Sequence, residues 1–110
     1  MGLTKTEIFT AKQNQLAQML KVLAHPARIA ILQEIIASRV CVNGSLVEKL
    51  GLAQPTISQH LKELKGAGII KGSVEGTSIS YCIDEKTWAR YREELSRFFS
   101  VALGNKGGCC

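Results

Sequence analysis

The stretch Ser45-Leu46-Val47-Glu48-Lys49-Leu50-Gly51-Leu52-Ala53-Gln54-Pro55-Thr56-Ile57-Ser58-Gln59-His60-Leu61-Lys62-Glu63-Leu64-Lys65 carries the pattern from which the fold is read. Ser45 and Glu48 stand at capping-box spacing, the hydroxyl capping the first amides and the carboxylate reaching back, so a short helix is expected from about Leu46. Gly51 closes it, because glycine takes the left-handed backbone without steric cost. After Leu52-Ala53 a further helix is expected from about Gln54 to Lys65. On a helical wheel Ile57, Leu61 and Leu64 share one side and must face a core. Two helices joined by a short glycine-containing turn make a helix-turn-helix.

Working outward, Ile8, Ala11, Leu16, Met19, Leu20 and Leu23 recur at helical spacing, which predicts a first helix from Thr6 to Leu23. His25-Pro26 interrupts it, since proline lacks a backbone donor and suits the first turn of the next helix. That helix is expected from Pro26 to Ser38, burying Ile29, Leu32, Ile35 and Ile36. Downstream, Gly66 and Gly68 break the chain. Ile69 to Val74 and Thr77 to Ile83 flank a Glu75-Gly76 turn and predict a β-hairpin. Asp84 caps a last helix to about Ser100. The fold class is mainly α with a two-stranded β-wing, a winged helix-turn-helix. Residues 1–100 form the DNA-binding and dimerisation domain, and residues 101–110 a flexible tail ending in adjacent cysteines.

Composition sets the bounds. A chain of 110 residues, 45% apolar and 21% charged, suits one globular domain. No apolar run approaches the roughly 18–20 residues of a membrane span. The N-terminus lacks a basic-then-apolar leader, so a cytoplasmic location without a membrane partner is expected. The formal charge of +5 favours a polyanionic partner.

The exposed face of the helix from Gln54 supplies the means to read one. Gln59 and Lys62 lie opposite the apolar stripe, with Gln54, Thr56 and Ser58 toward the flanks. These donors and acceptors suit base edges and phosphates in a major groove, and glutamine can grip adenine through two hydrogen bonds. His60 sits nearer the apolar stripe, either as a phosphate contact or as a partly buried, hydrogen-bonded ring. Lys65, Lys71 and Thr77 would hold phosphates from the helix end and the wing.

Leu23-Ala24-His25-Pro26-Ala27-Arg28-Ile29-Ala30-Ile31-Leu32, then Gln54 to Leu64, then the glycine-led wing Gly68-Ile69-Ile70 through Tyr81 resemble the ArsR/SmtB family of metal- and redox-responsive bacterial repressors. The resemblance covers more than half the chain. It implies a homodimer joined by the first and last helices, bound to double-stranded operator DNA of dyad symmetry and released by an effector. Ala53 departs from the family, which commonly has a capping serine there. The stripe Trp88, Tyr91, Leu95, Phe98 and Phe99 supports the dimer separately, since a small core has little need of so many large residues.

The cysteines at 41, 82, 109 and 110 are numerous for a cytosolic chain, which favours metal binding or reactivity over structural disulfides. Adjacent Cα atoms lie about 3.8 Å apart, below the roughly 4.4–6.8 Å that a disulfide prefers. Cys109 and Cys110 therefore suit joint chelation of a soft centre such as trivalent arsenic or antimony, or another soft metal. Trivalent arsenic takes three sulfurs, and the third is sought at Cys41 or Cys82. In arsenic-responsive relatives a Cys-Val-Cys motif occupies this region; here the run is Cys41-Val42-Asn43, with the second thiol lost. Cys41 is thus assigned as the ligand joining the tail pair, and Cys82 is read as a buried, inert thiol. The tail's random-coil reach of about 17 Å lets it search a neighbouring surface. Trp88 to Phe99 contains no histidine, so the zinc site that the family builds on its last helix is absent.

Together these readings give a repressor that needs no cofactor and is released by trivalent arsenic or antimony. The alternative is a thiol-redox or sulfide/persulfide sensor of the same fold, pairing Cys41 with a tail cysteine. A thiol enzyme is excluded by the lack of a Cys-x-x-Cys motif or a phosphate loop.

Overall fold

The computed structural model of the chain describes residues 8–38, 41–42, 49–76, 78–101 and 103. In order they form α1 (Ala11–Leu23), α2 (Pro26–Ser38), α3 (Gln54–Gly66), β1 (Ile70–Glu75), β2 (Ser78–Ile83) and α4 (Glu85–Phe99). Residues 49–50 are also helical, directly before Gly51. The Ser45–Glu48 capping box lies outside the described residues.

Ile8 is helical, but Phe9 and Thr10 interrupt the helix that the apolar periodicity predicts from Thr6 to Leu23; residues 6–7 lie outside the described residues. Thr10 takes an extended backbone, and its hydroxyl accepts the Gln13 amide at 3.1 Å, while the Gln13 side chain accepts the Thr10 amide at 2.9 Å. This reciprocal cap satisfies amides that a helix start leaves unpaired, and so fixes the start at Ala11. Ile8 is left exposed, and the helix buries Met19 and Val22.

α2 has the expected limits and buries Leu32 and Ile35 as expected, but Ile31 joins them in place of Ile29 and Ile36. Ile31, Leu32 and Ile35 are buried, whereas Ile29 and Ile36 are 41% and 46% exposed. The helix is apolar on nearly every side, so periodicity alone gives its existence and not its rotation. Packing against α3 and β2 selects the Ile31 side.

Gly51 has φ of 69°, the left-handed turn that lets α3 depart from the preceding helical residues. α3 begins without a side-chain cap at Ala53; Pro55 in its first turn dispenses with one donor, and the Ala53 carbonyl accepts the Thr56 and Ile57 amides. Ile57, Leu61 and Leu64 are buried, as their spacing predicts. The hairpin is antiparallel, pairing Ile70 with Ile83, Lys71 with Cys82 and Glu75 with Ser78. Its turn is centred one residue later than Glu75-Gly76, with Gly76 at φ 63°. Asp84 caps α4 by accepting the Thr87 amide at 3.0 Å. That backbone hydrogen bond holds its carboxyl below the usual range, aided by Lys71.

The core lies where these elements meet. Ile31, Leu64, Ile69 and Ile70 are its most completely buried side chains, with Tyr91 of α4 and Val42 closing its sides. Among the described residues, no helix is long and apolar enough to cross a membrane.

Candidate nucleic-acid interface and thiol site

α3 turns two chemically distinct faces in opposite directions. Ile57, His60, Leu61 and Leu64 point inward, while Gln54, Thr56, Ser58, Gln59 and Lys62 are exposed. Packing of the apolar stripe therefore fixes which polar groups a groove would meet. In this state the Gln59 amide donates to the Glu63 carboxylate one turn on, at 3.1 Å. Reading a base requires exchanging that contact for a base edge.

The wing stands beside this helix. The Lys65 ammonium lies 3.3 Å from where a Cβ on Gly72 would sit, so glycine makes room for a cation between α3 and β1. Lys71, next along β1, is exposed. Val74 and Ile79, at the hairpin tip, are exposed at 74% and 43%. Thr77 lies outside the described residues.

His60 takes the second of its two expected places, the buried, hydrogen-bonded ring. It is 9% exposed and turned toward α2, away from the polar face of α3. Its Nδ1 accepts from the Arg28 Nε at 3.2 Å, and its ring lies against His25 with centroids 4.3 Å apart. Arg28 also donates to the Val22 carbonyl at 3.1 Å, and the His25 Nδ1 accepts the Ala27 amide at 3.0 Å. The cluster thus ties the α1–α2 corner to the inner side of α3. Position 60 continues the apolar stripe of positions 57, 61 and 64, which was the available sign of burial.

Burial, then the positive charges of His25 and Arg28, lower the His60 pKa from its ordinary 6.5, against a smaller upward pull from Glu63. The unfolded chain therefore binds this proton more readily than the folded one. The stabilisation from neutral His60 is full above the unfolded value of 6.5 and is lost as pH falls through the lower folded value. Melting temperature is expected to drop between about pH 7.5 and pH 5.5, and His60→Gln to flatten that drop in a circular-dichroism melt. An unchanged pH slope in the variant would contradict this assignment.

The cysteines are arranged differently from the sequence reading. Cys41 is exposed and Cys82 half-buried, and their sulfurs are bonded to each other, with Cα atoms 4.5 Å apart. The assignment of Cys82 as a buried, inert thiol is therefore corrected. Its alternation with Tyr81 and Ile83 gives the strand but hides the partner, which lies 41 positions earlier. Cys109 and Cys110 lie outside the described residues. Among the described residues, no three His, Cys, Asp or Glu side chains gather as a metal site.

The aromatic stripe of α4 divides in two. Tyr91 is buried and Trp88 packs on the core, while Phe98 and Phe99 are 53% and 72% exposed and meet edge to face at 5.2 Å. Leu23, Trp88, Tyr91, Arg92, Leu95, Ser96 and Phe99 line an open groove of about 370 Å³.

Comparison with known proteins places this architecture. The family profile "Bacterial regulatory protein, arsR family" matches residues 25–71. The HTH-type transcriptional repressor SmtB of Mycobacterium tuberculosis is 44% identical over 64 residues, 58% of this chain and 47% of that protein. The chain thus matches about half the length of that relative. The biofilm growth-associated repressor of Agrobacterium fabrum is 38% identical over 94 residues, 86% of this chain and 80% of that protein. A solved structure described as a possible transcriptional regulator for arsenical resistance superposes with a TM-score of 0.68 at 25% identity, covering 76% of this chain and 85% of that one. With its helix-turn-helix and wing, the chain belongs to the ArsR family of bacterial regulatory proteins.

Proposed function

We propose that this regulator is a homodimeric repressor that holds double-stranded operator DNA of dyad symmetry through α3 and the wing. It lets go when trivalent arsenic or antimony binds thiolates from Cys41 and the tail pair Cys109-Cys110. The observation that carries the DNA reading is the two-faced α3, whose exposed side presents Thr56, Ser58, Gln59 and Lys62 beside Lys65 and Lys71. The exposed Phe98 and Phe99 beside the apolar groove support a second copy packed on α4. The effector reading rests on the affinity of thiolates for soft centres and on the likeness to the possible arsenical-resistance regulator.

The bond between Cys41 and Cys82 favours a second reading, in which a hydroperoxide is the signal. It would take both thiol hydrogens, leaving the S–S bond, an alcohol and water. The pair would then be Cys41 with Cys82 rather than with a tail cysteine.

DNA reading is tested on a duplex selected by the unmodified chain from a random library. Gln59→Ala is expected to relax preference at one base position by about 1–3 kcal/mol. Lys62→Ala is expected to weaken all sequences alike and to reduce the salt slope of binding by about one unit. Equal, salt-insensitive losses from both variants would contradict this orientation of α3.

A further inference from the structure

Arginine carries only donors, so an Arg28 Nε–H directed at the His60 Nδ1 from 3.2 Å requires a lone pair on that nitrogen. His60 is therefore neutral in this arrangement, with its one ring proton on Nε2. The same guanidinium donates through Nη1 to the Val22 carbonyl in the last turn of α1. Arg28 thus fastens α3 both to its own helix, α2, and to the end of α1, which in turn packs on α4. The His25 ring backs the contact from the corner between α1 and α2.

The other buried side chains of α3, Ile57, Leu61 and Leu64, are apolar. Apolar burial is non-directional, whereas a hydrogen bond weakens steeply off its axis. The Arg28–His60 bond is therefore the contact on this side that sets the rotation and tilt of α3. Gln59 and Lys62 are exposed on the other side of the same helix, and a two-bond glutamine–base contact tolerates little tilt.

We propose that Arg28 is a positioning residue for operator reading: it touches no DNA, and by holding neutral His60 it fixes the angle at which α3 presents Gln59 and Lys62 to the groove. This rests on the reading that α3 holds operator DNA. A second proton on the His60 ring turns Nδ1 into a donor facing a donor and sets two cations side by side, so the bond opens. The titratable and charged groups that face His60 are Arg28 from α2, His25 from the corner and Glu63 on its own helix. Burial opposes the second proton most, then His25 and Arg28, while Glu63 favours it, so the ring titrates below its ordinary 6.5. By reciprocity, a neutral ring that favours DNA binding has its pKa lowered further when DNA binds. Phosphates acting through charge alone do the opposite and raise it. The sign of the change separates positioning from plain electrostatics.

The test uses the full unmodified chain and a duplex that it selects from a random library. The His60 ring nitrogens are followed by NMR between about pH 7.5 and pH 5.0, free and on the duplex. The expected result is the Nε2–H tautomer at the upper end and a lower titration midpoint on the duplex than in the free chain. Operator affinity is expected to fall on the order of tenfold over that range. His60→Asn, which offers an acceptor oxygen near the Nδ1 position and takes no proton, is expected to flatten the fall. Arg28→Ala is expected to lower affinity on the order of tenfold with the salt slope unchanged, whereas loss of a phosphate contact reduces that slope by about one unit. A midpoint that the duplex leaves unchanged or raises, an undiminished fall in His60→Asn, or a reduced salt slope in Arg28→Ala overturns the proposal. The NMR arm needs no variant to fold. A chain that selects no duplex overturns the DNA reading and this assignment with it, whereas tight binding with the wrong sign of midpoint change overturns this assignment alone.

Discussion

Replacing Leu95 and Phe99 together by glutamate is expected to give folded monomers with operator affinity reduced on the order of 10²–10⁴-fold. Phe99 is 72% exposed and Leu95 lines the same apolar groove, so both contribute surface that a second copy would cover. Carboxylates on both sides of a two-fold interface face one another in a poorly hydrated place, where like charges are costly. A dyad operator is held by two reading helices, spaced about 34–36 Å apart in helix-turn-helix dimers. A monomer engages one half-site and loses the effective concentration that makes the second contact intramolecular. Sedimentation gives the oligomeric state, circular dichroism confirms folding, and anisotropy of a labelled operator gives the affinity. A folded monomer that binds as well as the unmodified chain would contradict the dimer.

Changing Cys109 and Cys110 to serine is expected to leave operator affinity unchanged and to abolish release by arsenite. Serine oxygens are hard ligands that do not replace thiolates on a soft centre. One or two remaining thiols do not complete ligation by the three sulfurs that trivalent arsenic takes. Losing one sulfur leaves a hydroxide that competing cellular thiols displace. An arsenite titration followed by anisotropy distinguishes the outcomes. Normal release from the double serine variant would remove the tail from the sensing site.

The parts of the fold that were legible in the sequence are those where a local rule has one solution. Ile57, Leu61 and Leu64 define a single stripe on an otherwise polar helix, so the core side of α3 and its exposed face followed together. Asp84 and Gly51 stand where caps and left-handed turns need them. α2 was legible in its limits and in the burial of Leu32 and Ile35, but Ile29 and Ile36 were misplaced, because a helix apolar nearly all round gives little phase until its neighbours are placed. The break in the first helix at Phe9 and Thr10 was missed because periodicity outweighed the Thr10-x-x-Gln13 capping box, which stood in the sequence. The partners of His60 and Cys82 were not legible. Arg28 and His25 reach His60 from another helix and its corner, and Cys41 meets Cys82 across 41 positions. Contacts of that range follow from packing, and no local pattern encodes them.

The measurement that bears most directly on function is anisotropy of a labelled dyad duplex with the reduced, unmodified chain, first alone and then titrated with arsenite. Saturable binding without arsenite, at a stoichiometry of two chains per duplex, and dissociation on its addition are the predicted results. A chain that fails to bind the duplex when reduced and arsenite-free, or that stays bound at saturating arsenite, would contradict the proposed repressor.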